Sequence, residues 1–280
     1  MPTTIDDILA TGPGVRAFVM GVLNVTPDSF SDAGAFFAPE LALTQARQMI
    51  DEGADLIDIG AESTRPGSDR VSASDQIARL RTVLPGVVAM GAPVSIDTTL
   101  ADVADWALEA GAAIINDVSA GRDDHAMLPL AARRRAPLCL MHMQGAPKTM
   151  QANPHYTDVV AEVRAFLAER ILAALAAGVD RGRIIVDPGI GFGKRAEHNL
   201  ALLANVQALV SLGRPVLVGP SRKRFIAELA GEATPPARVG GTIAACLAAR
   251  TGGATIFRVH DVAALAQGLA VHDALAQANK

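Results

Sequence analysis

Short apolar runs recur along the chain, each followed by a longer amphipathic stretch, and this alternation constrains the fold more than any other feature. Runs of β character lie at about 17–23, 55–59, 94–96, 113–115, 137–141, 183–186, 216–218 and 254–259. Helical patterns fill the gaps at about 39–52, 74–83, 100–109, 126–134, 157–177, 198–211, 223–230 with 236–250, and 262–277. Ser74 is placed to cap the second helix, and Gly53, Gly111 and Gly178 stop others. Alternating strands and helices imply a parallel sheet with helical crossovers. Eight such units in 280 residues match an α/β fold, a single (β/α)8 TIM barrel. An open doubly wound sheet is the alternative, but the glycine-rich phosphate fingerprint expected after its first strand is absent here. Residues 1–16 read as an N-terminal tail and 17–280 as one barrel domain, with no linker or repeat dividing it.

Half of the residues are apolar, 4% are aromatic and the net charge is −4, so the overall field favours neither nucleic acid nor an anionic membrane. No apolar run reaches the roughly 20 residues of a membrane span. Asp6 and Asp7 break any basic-then-apolar leader pattern. Cys139 lies in a strand-like run and Cys246 in an apolar helix, so both read as buried free thiols of a reducing cytoplasm.

In such barrels the chemistry sits on loops at the C-terminal ends of the strands. The first run ends at Asn24 and opens into a polar loop; alone, that stretch is equally well an ordinary turn. The other strand ends bring Glu62 to Arg65, Asp97, Asn116 with Asp117, His142 with Gln144, Asp187, Ser221 to Lys223, and Arg258 with His260. Each alone fits a cap or a turn; all eight on one rim make a site the simpler account. Asp97, Asn116 and Asp187 suit a neutral heterocycle, because their oxygens accept from amino and ring N–H groups. Asn24, Thr64, Arg65, Arg258 and His260 form a cationic, donor-rich group suited to phosphate or diphosphate.

Other signals are weak. Asp187-Pro-Gly-Ile-Gly-Phe-Gly-Lys194 lacks dinucleotide and P-loop spacing, so its glycines read as permitting a tight turn. His142 has no second His or Cys at zinc spacing, and Ser63 and Ser221 lack a His/Asp relay. Arg133 to Arg135 read as a solvated helix end.

Eight blocks together resemble the dihydropteroate synthase family. They are Asn24-Val-Thr-Pro-Asp-Ser-Phe-Ser-Asp32, Gly60-Ala-Glu-Ser-Thr-Arg-Pro-Gly67, Ser95-Ile-Asp-Thr98, Ile115-Asn-Asp117, Met141-His-Met-Gln144, Asp187 to Lys194, Ser221-Arg-Lys223 and Arg258-Val-His-Asp261. The match runs in order from about Val19 to the C-terminus, and its first two blocks are long and specific. The resemblance implies a (β/α)8 barrel of folate biosynthesis. It would condense 6-hydroxymethyl-7,8-dihydropterin diphosphate with 4-aminobenzoate, using Mg²⁺, to give 7,8-dihydropteroate and diphosphate. By the same resemblance Asp97, Asn116, Asp187 and Lys223 hold the pterin, with Met141 beside it and Arg258 stacked on it. Asn24 ligates Mg²⁺; Thr64, Arg65, Arg258 and His260 meet the diphosphate; Phe30, Pro66, Phe192 and Lys223 surround the aminobenzoate. Asp32 is the candidate for electrostatic stabilisation of a cation-like reacting carbon, beside Lys223 and Arg258 as catalytic groups. Ala61 stands where many members carry a second Gly, and Arg224 where some carry Ser, which leaves the contact to the aminobenzoate carboxylate open. The loops at about 25–39 and 63–72 are expected to order over the site with diphosphate and metal. A homodimer is implied, with Ile243–Ala249 as a candidate surface. Two rival readings are a catalytically silent pterin-binding paralogue and a methyltetrahydrofolate–corrinoid methyltransferase.

Overall fold

The apolar runs form eight short strands: β1 (Phe18–Asn24), β2 (Leu56–Gly60), β3 (Val94–Asp97), β4 (Ile114–Asp117), β5 (Leu138–Met141), β6 (Ile184–Asp187), β7 (Leu217–Val218) and β8 (Ile256–Val259). The computed structural model describes residues 3–12, 14–26, 38–63, 68–146, 148–231 and 234–278. Strands pair in the order β6-β5-β4-β3-β2-β1-β8-β7, all parallel. The two ends of that order meet through a parallel bridge between Val186 and Val216, where the Val186 N–H donates to Pro215 O at 3.0 Å. The sheet thus curls into the expected barrel.

Among the described residues the helices are α1 (Ile5–Leu9), α2 (Ala38–Asp51), α3 (Ala73–Arg81), α4 (Leu84–Val88), α5 (Ala101–Glu109), α6 (Met127–Arg134), α7 (Val159–Ala176), α8 (Ala196–Ala204), α9 (Gln207–Val210), α10 (Arg224–Ala230), α11 (Val239–Thr251) and α12 (Val262–Ala278). Outward-facing strand residues such as Ile57, Ile59 and Ile115 join the inner helix faces in the main apolar core. None of these helices is long and apolar enough to cross a membrane.

Three local features differ from the sequence reading. The cap of α3 is Ser72, whose hydroxyl accepts from the Asp75 N–H at 3.2 Å; Ser74 lies inside the helix. The helix expected over 198–211 breaks at Asn205, where φ is −122°, giving α8 and α9. Within the expected tail, Thr4 and Asp7 form a capping box that starts α1. Ile8 of α1 is fully buried against Phe18, Leu56, Ile114 and Ile256 inside the barrel, plugging its N-terminal end. Along Ile243–Ala249, Cys246 and Ala249 are buried, Ile243 and Leu247 lie against Gly268 of α12, and Ala244 and Ala248 are exposed.

Candidate active site

Period two along each strand builds the site in layers. Leu56, Ile114, Cys139, Ile185 and Ile256 belong to the apolar floor inside the barrel. Two residues further along the same strands, on the same face, stand Asp58, Asn116, Met141, Asp187 and Arg258. Asp97 ends β3 beside them, in register with Gly60 and Asn116. The bare Gly60 keeps this corner open, since a Cβ there would lie 3.5 Å from Asp97 Cβ and 3.7 Å from Asn24 Oδ1.

One guanidinium ties this layer together. Arg258 Nε donates to Asp58 Oδ2 at 2.7 Å, and Nη2 donates to Asp97 Oδ2 at 2.9 Å. Asn116 Nδ2 adds a second bond to Asp58 Oδ2, at 3.2 Å. Asp58 is fully buried in β2 and was missed by the sequence reading, which took strand ends and not the inward-facing position two residues before the end. A lone carboxylate within Leu56-Ile-Asp-Ile59 was the available signal. Burial raises Asp97 well above the usual carboxylate range; Arg258 opposes the rise, but that cation is shared with Asp58. Burial likewise pushes Asp187 up to about 6, even though the Gly189 N–H donates to its Oδ1 at 2.6 Å. Asp117 faces its own turn, accepting from Ser119 and Gly121.

Above the carboxylates the walls become apolar and polarisable. Met141 clusters with Val118, Met143 and Met150, and Phe192 packs against them. Lys223 Nζ lies 4.0 Å from the centre of the Phe192 ring, a cation–π contact. The loops after β7 and β8 are stapled together: Ser221 Oγ meets His260 Nδ1 at 3.0 Å, and Arg222 forms a forked pair with Asp261. Burial, with Arg258 nearby, holds His260 down at about 3, so it is uncharged at neutral pH. The expected cationic cluster therefore loses His260 as a charge, and Arg258 sits with the carboxylates. Arg224 points to solvent and pairs with Glu228 at 2.9 Å.

Behind the β6–α8 loop, burial pulls Lys194 down to about 7 against the influence of Asp187. Burial and Lys194 together keep His142 neutral, at about 2, with Nδ1 free to accept a proton donor. Phe30, Asp32, Thr64, Arg65 and Pro66 lie outside the described residues, as do most positions of the two loops expected to order over the site.

A cavity of about 340 Å³ opens beside this layer, lined by Glu62, Ser63, Asp97, Thr98, Val118 and Lys148. A larger one, about 420 Å³, lies at the plugged end near Asp6, Arg134 and Arg183, away from every strand-end residue.

The family model for pterin binding enzymes matches residues 20–260, which contain Asp58, Asp97, Asn116, Asp187, Lys223 and Arg258. The chain belongs to the pterin binding enzyme family. Relatives narrow that statement. This pterin binding enzyme is 47% identical over 263 residues to a dihydropteroate synthase of Synechocystis, covering 94% of this chain and 91% of that protein. It superposes on a Xanthomonas albilineans dihydropteroate synthase with 4-aminobenzoic acid at a TM-score of 0.88, with 48% identity and 93% of each chain covered. A structure of that organism's enzyme in complex with 7,8-dihydropteroate gives a TM-score of 0.84 at 45% identity, covering 93% of this chain and 94% of that one.

Proposed function

We infer that this chain is a dihydropteroate synthase, joining 4-aminobenzoate to 6-hydroxymethyl-7,8-dihydropterin diphosphate with release of diphosphate. The observation that carries the reading is the buried Asp97, Asn116 and Asp187 layer under a Met-rich wall, in a chain 47% identical to a named dihydropteroate synthase. Carboxylates accept two N–H groups side by side, which fits an amino-pyrimidinone edge, and the thioethers and Arg258 offer flat contacts to the rings. Diphosphate release that requires 4-aminobenzoate, followed in a coupled assay on the purified chain, tests it. Release without the arylamine, or none at all, would overturn the assignment.

In the reaction the carbon–oxygen bond to diphosphate breaks, and its electron pair leaves on the diphosphate oxygen. The electron-rich pterin spreads the positive charge left on its methylene carbon. The arylamine nitrogen then forms the new carbon–nitrogen bond and gives up a proton. No general base is needed beforehand, because the electrophile is already cation-like. Asp32 is assigned the role of stabilising that cation. Asp32→Asn is expected to lower kcat about 100-fold or more while pterin affinity stays within about threefold. Unchanged turnover would remove Asp32 from the mechanism.

Asn24 presents a hard amide oxygen beside Gly60 at the rim, and among the described residues no three acidic, His or Cys side chains are placed to hold a metal ion by themselves. That donor set fits Mg²⁺, which keeps several waters and binds largely through substrate phosphates. When bound there with diphosphate, Mg²⁺ would supply charge neutralisation to the leaving group.

Raised carboxylate pKa values give binding a pH dependence. Asp187, up at about 6, and Asp97, also raised, take up protons as pH falls and then lose acceptor capacity. Pterin affinity is therefore full above about pH 8 and is expected to fall roughly tenfold by pH 5.5, read by calorimetry. Asp187→Asn should flatten part of that slope; a level wild-type profile would show that these carboxylates do not receive the ring. A cytoplasmic location agrees with two buried, unpaired cysteines. A homodimer would use the exposed Val271 and Leu275, one turn apart on α12, and light scattering reads it directly.

A further inference from the structure

The β6–α8 loop ends in a lysine that none of the substrate contacts above uses. Lys194 is 3% exposed, yet its nitrogen reaches four acceptors. They are His142 Nδ1 at 2.9 Å, His142 O at 3.3 Å, Gly189 O at 3.0 Å and Phe192 O at 3.0 Å. Three ammonium protons shared among four acceptors leave the group fully satisfied without water. Two of the acceptors belong to the residue after β5 and two to the loop itself, so one side chain bolts the loop to the neighbouring strand.

The loop backbone is pressed against the same neighbour. A Cβ on Gly189 would stand 2.0 Å from His142 O, and one on Gly193 would stand 2.5 Å from Gln144 O. Both glycines have positive φ, 66° and 60°, so other residues are excluded by space and by conformation. Phe192 hangs between these fixed points. Its carbonyl is held by Lys194, and its ring carries the Lys223 ammonium. Asp187, at the pterin end, is held by backbone donors that remain when the Lys194 side chain is removed: the His142 N–H donates to its backbone O at 2.9 Å and the Gly189 N–H to its Oδ1.

We propose that Lys194 is a positioning residue that fixes the Phe192 ring, and through it Lys223, at the arylamine end of the active site. The inference rests on the reaction assigned above and on Phe192 lining the aminobenzoate site. It predicts a division of effects that a general loss of stability would not give.

The test is a double-mutant cycle on the purified full chain, with Lys194→Met, Phe192→Ala and the pair, reading steady-state kinetics and calorimetric pterin diphosphate affinity. Lys194→Met should raise KM for 4-aminobenzoate by about tenfold, with kcat and pterin affinity within about threefold. Phe192→Ala should raise the same KM, and the pair should exceed the worse single variant by no more than about twofold, because both changes remove one function. Lys194→Gln, whose amide still donates to two carbonyls, should fall between wild type and Lys194→Met, and it carries the cycle if the methionine variant does not fold. KM effects that multiply, or a loss confined to kcat or to pterin affinity, overturn the positioning role while leaving the reaction in place. A wild type that shows no aminobenzoate-dependent diphosphate release overturns the reaction and this role together.

Discussion

Asp187→Ala is expected to lower pterin affinity by two to three orders of magnitude, in line with the roughly 2–5 kcal/mol lost when one partner of a buried, charged hydrogen-bonded set is deleted. The side chain is 5% exposed at the end of β6 and stands above an apolar floor, so no water replaces it cheaply. The substitution also frees the Gly189 N–H, which now donates to Asp187 Oδ1. Asp187→Asn separates the two losses, since an amide oxygen can still accept from Gly189 but carries no charge. Calorimetry with a pterin ligand measures both variants. Affinity retained in the alanine variant would place the pterin elsewhere.

The second large effect concerns the fold itself. Arg258→Leu removes the one guanidinium that serves both Asp58 and Asp97, and Asp58 is fully buried. Breaking a buried pair from one side leaves an uncompensated charge, which costs about 3–5 kcal/mol. The urea midpoint should fall accordingly, and activity should be lost at any temperature. The pair Arg258→Leu with Asp58→Asn should recover much of the stability and none of the turnover. A single variant with an unchanged midpoint would mean that Asp58 is stabilised by something other than Arg258.

Most of the barrel was legible because parallel strands buried on both faces are short apolar runs, and eight of them alternate with helical patterns. The site layer was legible for the same reason that Asp58 was not. Polar residues at strand ends announce themselves as breaks in an apolar run, whereas Asp58 sits two positions inside the end of β2 and is outvoted by Leu56, Ile57 and Ile59. A count of two from the floor residues Leu56, Ile114, Ile185 and Ile256 finds Asp58, Asn116, Asp187 and Arg258 at once. Helix α1 was missed because five residues carry too little periodicity, although the Thr4 and Asp7 spacing was readable as a cap. The break at Asn205 had no warning, since its neighbours tolerate helix. Lys194 carries no signal of its own in a glycine-rich loop, because only tertiary structure brings His142 to it.

The seam between β6 and β7 has a consequence for how this molecule comes alive. Pairing is continuous around the rest of the barrel and thin there, resting on the bridge from Val186 to Val216. Asp187 ends the strand on one side of the seam, and Lys223 follows the strand on the other. A chain with only β1 to β6 assembled would already own Asp97, Asn116 and Asp187, but no Lys223 and no Arg258 to neutralise its buried acids. Such a six-stranded assembly would be electrostatically unfinished, and only arrival of the last two strands completes both the charge balance and the catalyst. Enzymatic activity in this chain is therefore a reporter of barrel closure.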